Sequence, residues 1–108
     1  MKIVNIHKAI SNEDLLALIS LKLDRLFKEQ RQTQLHFKSE INDGAVEISQ
    51  PELYDGILFR IEIIGEELHI TRSEHYVDDV NALTVESILN EIFSQLADDG
   101  KVTLVLEG

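Results

Sequence analysis

A chain of 108 residues with 44% apolar side chains, one proline and five glycines can close a single ordered domain, residues 1–108, and is not low-complexity or linker-like. Twenty acidic against ten basic residues give a net charge of −10, which disfavours direct binding of nucleic acid or anionic lipid because each phosphate contact needs a cation. The absence of cysteine removes disulfides, thiolate nucleophiles and sulfur-ligated zinc.

In chain order, the first element predicted is a short strand over residues 2–6. Its nearly continuous apolar run, Ile3, Val4 and Ile6, suits a position covered on both faces. Ser11 then caps a helix, with Glu13 and Asp14 in its first turn and Ile10 and Leu15 at hydrophobic-staple spacing. Leu15, Leu16, Ile19, Leu23, Leu26 and Phe27 trace one helical stripe, which Leu18 and Leu21 widen. Lys22, Arg25, Lys28 and Arg31 load the last turns with the positive charge that helix carbonyl ends favour.

Four strands follow. Residues 34–38 alternate apolar and polar side chains, and Asn42-Asp43-Gly44 is a strong hairpin signal leading into residues 45–49. Pro51 and Tyr54-Asp55-Gly56 interrupt the pattern. Residues 57–64 then alternate, with Ile57, Phe59, Ile61 and Ile63 on one face and Leu58, Arg60, Glu62 and Ile64 on the other. Gly65-Glu66 turns the chain into residues 68–72. After a polar connection over residues 73–83, Thr84 is the expected cap of a second helix. Its stripe is Val85, Ile88, Leu89, Ile92, Phe93 and Leu96, and Gly100 follows as its C-terminal cap. Lys101 to Leu106 close the chain as a strand with Val102, Leu104 and Leu106 facing one way. The expected fold is α+β, ordered β-α-β-β-β-β-α-β, with two helices packed on one face of a mostly antiparallel sheet.

Charge is distributed unevenly. Residues 1–39 carry a net +3, whereas residues 40–99 hold only Arg60 and Arg72 against fifteen carboxylates, a net −13. The longest polar connection contains Glu74, His75, Tyr76, Asp78 and Asp79. An aromatic ring among carboxylates is what an anchor for a basic partner looks like, and equally what a tyrosine packed on a sheet edge looks like. With Asp55, Glu66 and Glu67 from neighbouring turns, these residues form the candidate partner-binding set.

The four histidines, His7, His36, His69 and His75, lack the spacing of a helical zinc site, and the acidic pairs lack the pattern of a calcium loop, so no metal or cofactor is expected. His36 and His69 are expected on the polar face of the meander, beside Lys38, Glu47, Arg60 and Glu62, as parts of a solvated face with cross-strand ion pairs. No phosphate-binding glycine loop, serine elbow or histidine–glutamate zinc helix is present, so an enzyme is not expected.

Residues 87–93 with residues 100–106 resemble the last helix and strand of barstar-type ribonuclease inhibitors, while the middle of the chain replaces their inhibitory helices with a β-meander. Size, acidity and helix-meander-helix order are also similar to those of type III secretion chaperones, which lack the opening strand. Three functions compete. The first is a cytoplasmic inhibitor or immunity protein neutralising a basic toxin nuclease or other nucleic-acid enzyme, which the acidity favours. The second is an adaptor or chaperone-like homodimer using a sheet face or the surface of the first helix, where Leu18 and Leu21 extend the apolar stripe. The third is a small-ligand domain or enzyme. The residues 2–8 lack the apolar core of a signal peptide, and no stretch approaches the length of a membrane span.

Overall fold

The computed structural model describes residues 2–6, 10–98 and 102–106. The elements are β1 (Lys2–Ile6), α1 (Asn12–Arg31), β2 (Lys38–Asn42), β3 (Ala45–Ser49), β4 (Ile57–Ile64), β5 (Glu67–Arg72), a single 3₁₀ turn (Glu74–Tyr76), α2 (Val80–Asp98) and β6 (Val102–Leu106). The strands form one sheet in the order β2-β3-β4-β5-β1-β6, and each neighbouring pair is antiparallel. This is the expected α+β fold and element order. Val4 lies opposite Leu68 on one side and Leu104 on the other, so the first strand is interior and joins the meander to the last strand.

Both helices cover one face. Ser11 Oγ accepts the Asp14 N–H at 3.0 Å and starts α1. Gln32, at φ 56°, ends it by donating its N–H to the Lys28 carbonyl. Leu15, Ile19, Leu23, Leu26 and Phe27 are buried along the inner stripe. α1 packs on β2 and β3, α2 packs on β6, and the helices pack on each other. From the sheet, Val4, Ile6, Val46, Ile48, Phe59, Ile61, Leu68 and Ile70 meet Val85, Ile88, Leu89, Ile92 and Phe93 of α2 in one core. The opposite face is the charged one. There Arg60 Nη1 bonds Glu47 Oε2 at 2.6 Å and the carbonyl of Asn42 at 3.2 Å, while its Nη2 bonds the carbonyl of Asp43 at 3.1 Å, tying β4 to the β2–β3 hairpin.

The β2–β3 turn is the two-residue type in which both central residues need positive φ, and Asp43 and Gly44 supply it at 50° and 76°. Space around Gly44 is open, so Gly44→Ala tests backbone conformation alone. It should cost about 1 kcal/mol in urea unfolding.

The structure corrects five local expectations. Residues 34–38 are not a strand: β2 begins at Lys38, because side chains take the preceding backbone groups. Asp24 Oδ1 accepts the Phe37 N–H at 3.0 Å and Gln50 Nε2 donates to the His36 carbonyl at 3.2 Å. Phe37 packs edge-on against Phe27 at 5.0 Å, and His36 faces Asp24 at 3.3 Å instead of joining the polar sheet face. β1 is covered on one face only, with Val4 and Ile6 buried and Ile3 half-buried. A bulge in β4 sets Ile57 opposite Ser49 and Phe59 opposite Ile48, so that Leu58 is the extra residue and is buried beside Phe59 while Ile57 is exposed. Finally, α2 starts four residues before Thr84. Asp79 Oδ2 accepts the Ala82 N–H at 2.9 Å as the cap, and Thr84 Oγ1 bonds the Val80 carbonyl from inside the helix. His7, Asp99 and the Gly100 cap lie outside the described residues, as do the side-chain environments of Leu96, Val102, Leu104 and Leu106.

Candidate functional site

Two irregular connections, residues 50–56 and residues 73–79, meet at the end of the sheet where β4 begins and β5 ends. The first is shaped by Gln50, a buried glutamine whose carbonyl accepts the Leu53 and Tyr54 N–H groups and whose Oε1 accepts the Leu53 N–H again at 3.1 Å. Such a turn projects Glu52 and Leu53 outward and Tyr54 inward. The second leaves β5 through the Ser73 N–H, which donates to the Leu58 carbonyl, and Ser73 Oγ then caps the 3₁₀ turn by accepting the His75 N–H.

Two tyrosines lace these connections together. The rings of Tyr54 and Tyr76 meet edge-to-face at 4.8 Å. Tyr54 Oη donates to Asp79 Oδ2 at 2.7 Å and accepts from Asn81 Nδ2 at 3.0 Å. Tyr76 Oη accepts the Asp55 N–H at 3.0 Å and donates to the Asp55 carbonyl at 3.3 Å. Tyr76 also packs against the core, the packing role expected of it. Burial, then the bond to the Asp79 carboxylate, raises the Tyr54 phenol above its ordinary value of 10.0.

The sign of that shift has a measurable consequence. A phenol with a raised folded pKa contributes stability that is complete below pH 10 and is lost as pH climbs through the raised value. Urea unfolding of wild type and Tyr54→Phe should therefore show a gap that narrows above pH 10; a gap constant with pH would contradict the raised phenol.

The lacing places Glu52, Asp55, Glu74, Asp78 and Asp79 at one end. Glu52, Asp55, Glu74 and Asp78 are exposed, and none pairs with a Lys or Arg among the described residues. Elsewhere, Glu40, Glu47 and Glu86 pair with Lys38, Arg60 and Arg72. The expected partner-binding set is thus divided. Asp55, Glu74, His75, Tyr76, Asp78 and Asp79 come together, whereas Glu66 and Glu67 sit at the far end of β5, about 17 Å away at strand rise. Glu67 is also committed to His69 at 3.1 Å. Within the set, Tyr76 and Asp79 hold the site's shape, leaving the outward carboxylates to meet solvent.

Glu52 and the apolar part of this end were not expected from residue pattern. Leu53 and Val80 are each more than half exposed, and Ile57, Val77 and Leu83 are exposed beside them in sequence or one helical turn on. The signal for Glu52 was its position in the break already marked by Pro51 and Tyr54. Val77, Val80 and Leu83 gave none, because apolar residues in a polar connection read as the start of a helix stripe. A shallow, solvent-open depression lies between Leu58, Tyr76, Val77, Ala82 and Leu83, with the Arg72–Glu86 ion pair at its edge.

Among the described residues, no group of three or more histidine or acidic side chains is arranged to hold a metal ion. His36, His69 and His75 stand on separate elements. No helix among the described residues is long and apolar enough to cross a membrane. No family model, curated protein or solved structure matches this chain.

Proposed function

We propose that this chain is a non-enzymatic binding protein that neutralises a basic macromolecule, as an inhibitor or immunity protein does for a toxin nuclease or another nucleic-acid enzyme in the cytoplasm. The observation that carries this reading is the group formed by Glu52, Asp55, Glu74 and Asp78. Two connections held by internal hydrogen bonds present four carboxylates free of Lys and Arg partners among the described residues. Fixed negative charges in a rigid frame resemble the phosphates that a nuclease cleft is built to hold, and they steer a cationic partner into place while repelling nucleic acid itself.

The adaptor alternative relied on Leu18 and Leu21 as an apolar surface of α1. Leu18 packs against the core, which leaves Leu21 alone and supplies little contact area. The open sheet face, with its Arg60–Glu47 ion pair, is accounted for by solvation and strand pairing.

The test is association with a panel of basic nuclease domains, followed by stopped-flow fluorescence at rising ionic strength together with a nuclease assay. An equimolar amount of the chain should suppress cleavage by its cognate domain, and the association rate should fall roughly tenfold from low to physiological salt. Neutralising the group (Glu52→Gln, Asp55→Asn, Glu74→Gln, Asp78→Asn) should remove most of that salt dependence. An inhibited nuclease whose association rate ignores salt would overturn the electrostatic basis of the proposal.

A further inference from the structure

We infer that the acidic end holds its partner through an apolar anchor: a basic segment packs one aliphatic side chain over the shallow depression between Leu58, Tyr76, Val77, Ala82 and Leu83, while its flanking Lys or Arg side chains meet Glu52, Asp55, Glu74 and Asp78. This deepens the function proposed above and rests on it.

Two observations converge on that surface. Of the eight large apolar residues exposed among the described ones, five (Leu53, Ile57, Val77, Val80 and Leu83) lie on the two connections, the first residue of β4 and the first turns of α2; Leu21, Ile41 and Ile64 are dispersed over α1, β2 and the end of β4. Scattered apolar residues need no explanation, but a group of them beside exposed carboxylates, with Glu74 and Asp78 flanking Tyr76 and Val77 and Asp55 bonded to Tyr76, has the composition of an interface. Val80 and Leu83 are three residues apart on α2 and share one face, directly after Val77, so the patch is continuous with the notch.

Chemistry then selects the occupant. Exposed ion pairs alone contribute little to affinity, because water and salt screen them, whereas an apolar side chain removed from water at the centre of a charged rim supplies the lasting attachment. The neighbouring exposed carboxylates are anionic, and Arg72, the cation at the notch, is already held by Glu86 at 3.2 Å. The complementary segment therefore carries cations on both sides of its apolar residue. A second copy of this chain meeting the surface by two-fold symmetry would set the same carboxylates against each other and is disfavoured.

The probes are three synthetic peptides of equal length, Leu/Lys, Ser/Lys and Leu/Glu, titrated into ¹⁵N-labelled full-length protein. The Leu/Lys peptide should shift the amides of Leu53, Val77, Val80 and Leu83 and bind roughly tenfold more tightly than Ser/Lys, the effect of burying one aliphatic side chain. Leu83→Ser and Val80→Ser, both at exposed positions, should erase that difference while leaving Ser/Lys binding in place. If Ser/Lys binds as tightly as Leu/Lys at the same amides, the anchor is overturned and the acidic surface survives. If neither cationic peptide moves those amides, or Leu/Glu binds equally well, both are overturned.

Discussion

Leu58→Ala should lower the unfolding free energy by about 2–5 kcal/mol, whereas Ile57→Ala immediately before it should change it by less than about 0.5 kcal/mol. Strict strand alternation predicts the reverse, with Ile57 turned to the helices and Leu58 to solvent. The bulge between Ile48 and Ser49 resets the register, so Leu58 and Phe59 are both only 1% exposed. The cost arises because removing a buried branched side chain forfeits its transfer energy and leaves a cavity that neighbours fill only in part. Urea unfolding of the two variants decides the matter, and equal losses at both positions would mean that the strand is regular. Leu58→Glu sharpens the comparison, since a carboxylate there enters the core without a partner and the domain should fail to fold.

Asp79→Ala is the second large effect expected, at about 2–4 kcal/mol. One oxygen, Oδ2, accepts both the Ala82 N–H that begins α2 and the Tyr54 hydroxyl that fastens residues 50–56. Truncation removes a helix cap and a charge-assisted hydrogen bond together. Asn at this position caps nearly as well and still offers an oxygen, so Asp79→Asn should retain most of the stability. Tyr54→Phe breaks one of the same two bonds, and the double variant Tyr54→Phe/Asp79→Ala should therefore cost less than the two single changes added. Full additivity in urea unfolding would show that the bond between them contributes nothing.

The parts of this fold that were legible in the sequence are those governed by period and turn chemistry. The stripe from Leu15 to Phe27, the alternation of Ala45 to Ser49, the Asn42-Asp43-Gly44 hairpin and the element order all follow from local rules. What was not legible depended on a side chain from elsewhere taking a backbone group. Asp24 and Gln50 hold the backbone of residues 36–37 away from the sheet, and Asp79 starts α2 ahead of Thr84, although both aspartate and threonine are good caps. A bulge likewise leaves no mark on hydrophobic alternation, because Leu58 is apolar on either face. In the candidate site, the carboxylates of residues 74–79 were visible as a charge-dense connection, but their union with Asp55 and Glu52 depends on Tyr54 and Tyr76 meeting across 22 positions of sequence. Glu66 and Glu67 were grouped with them on charge alone, and the length of β5 separates them.

The interior position of β1 bears on how a ribosome must deliver this protein. Its two neighbours are β5 and β6, so β1 has no hydrogen-bonding partner until more than 60 further residues have been translated. The hairpins of residues 38–72 close from adjacent segments, and α1 is ready to cover them, while Ile3, Val4 and Ile6 wait outside. Pairing of β1 with β5 joins residues more than 60 positions apart in sequence, the kind of non-local contact that slows folding.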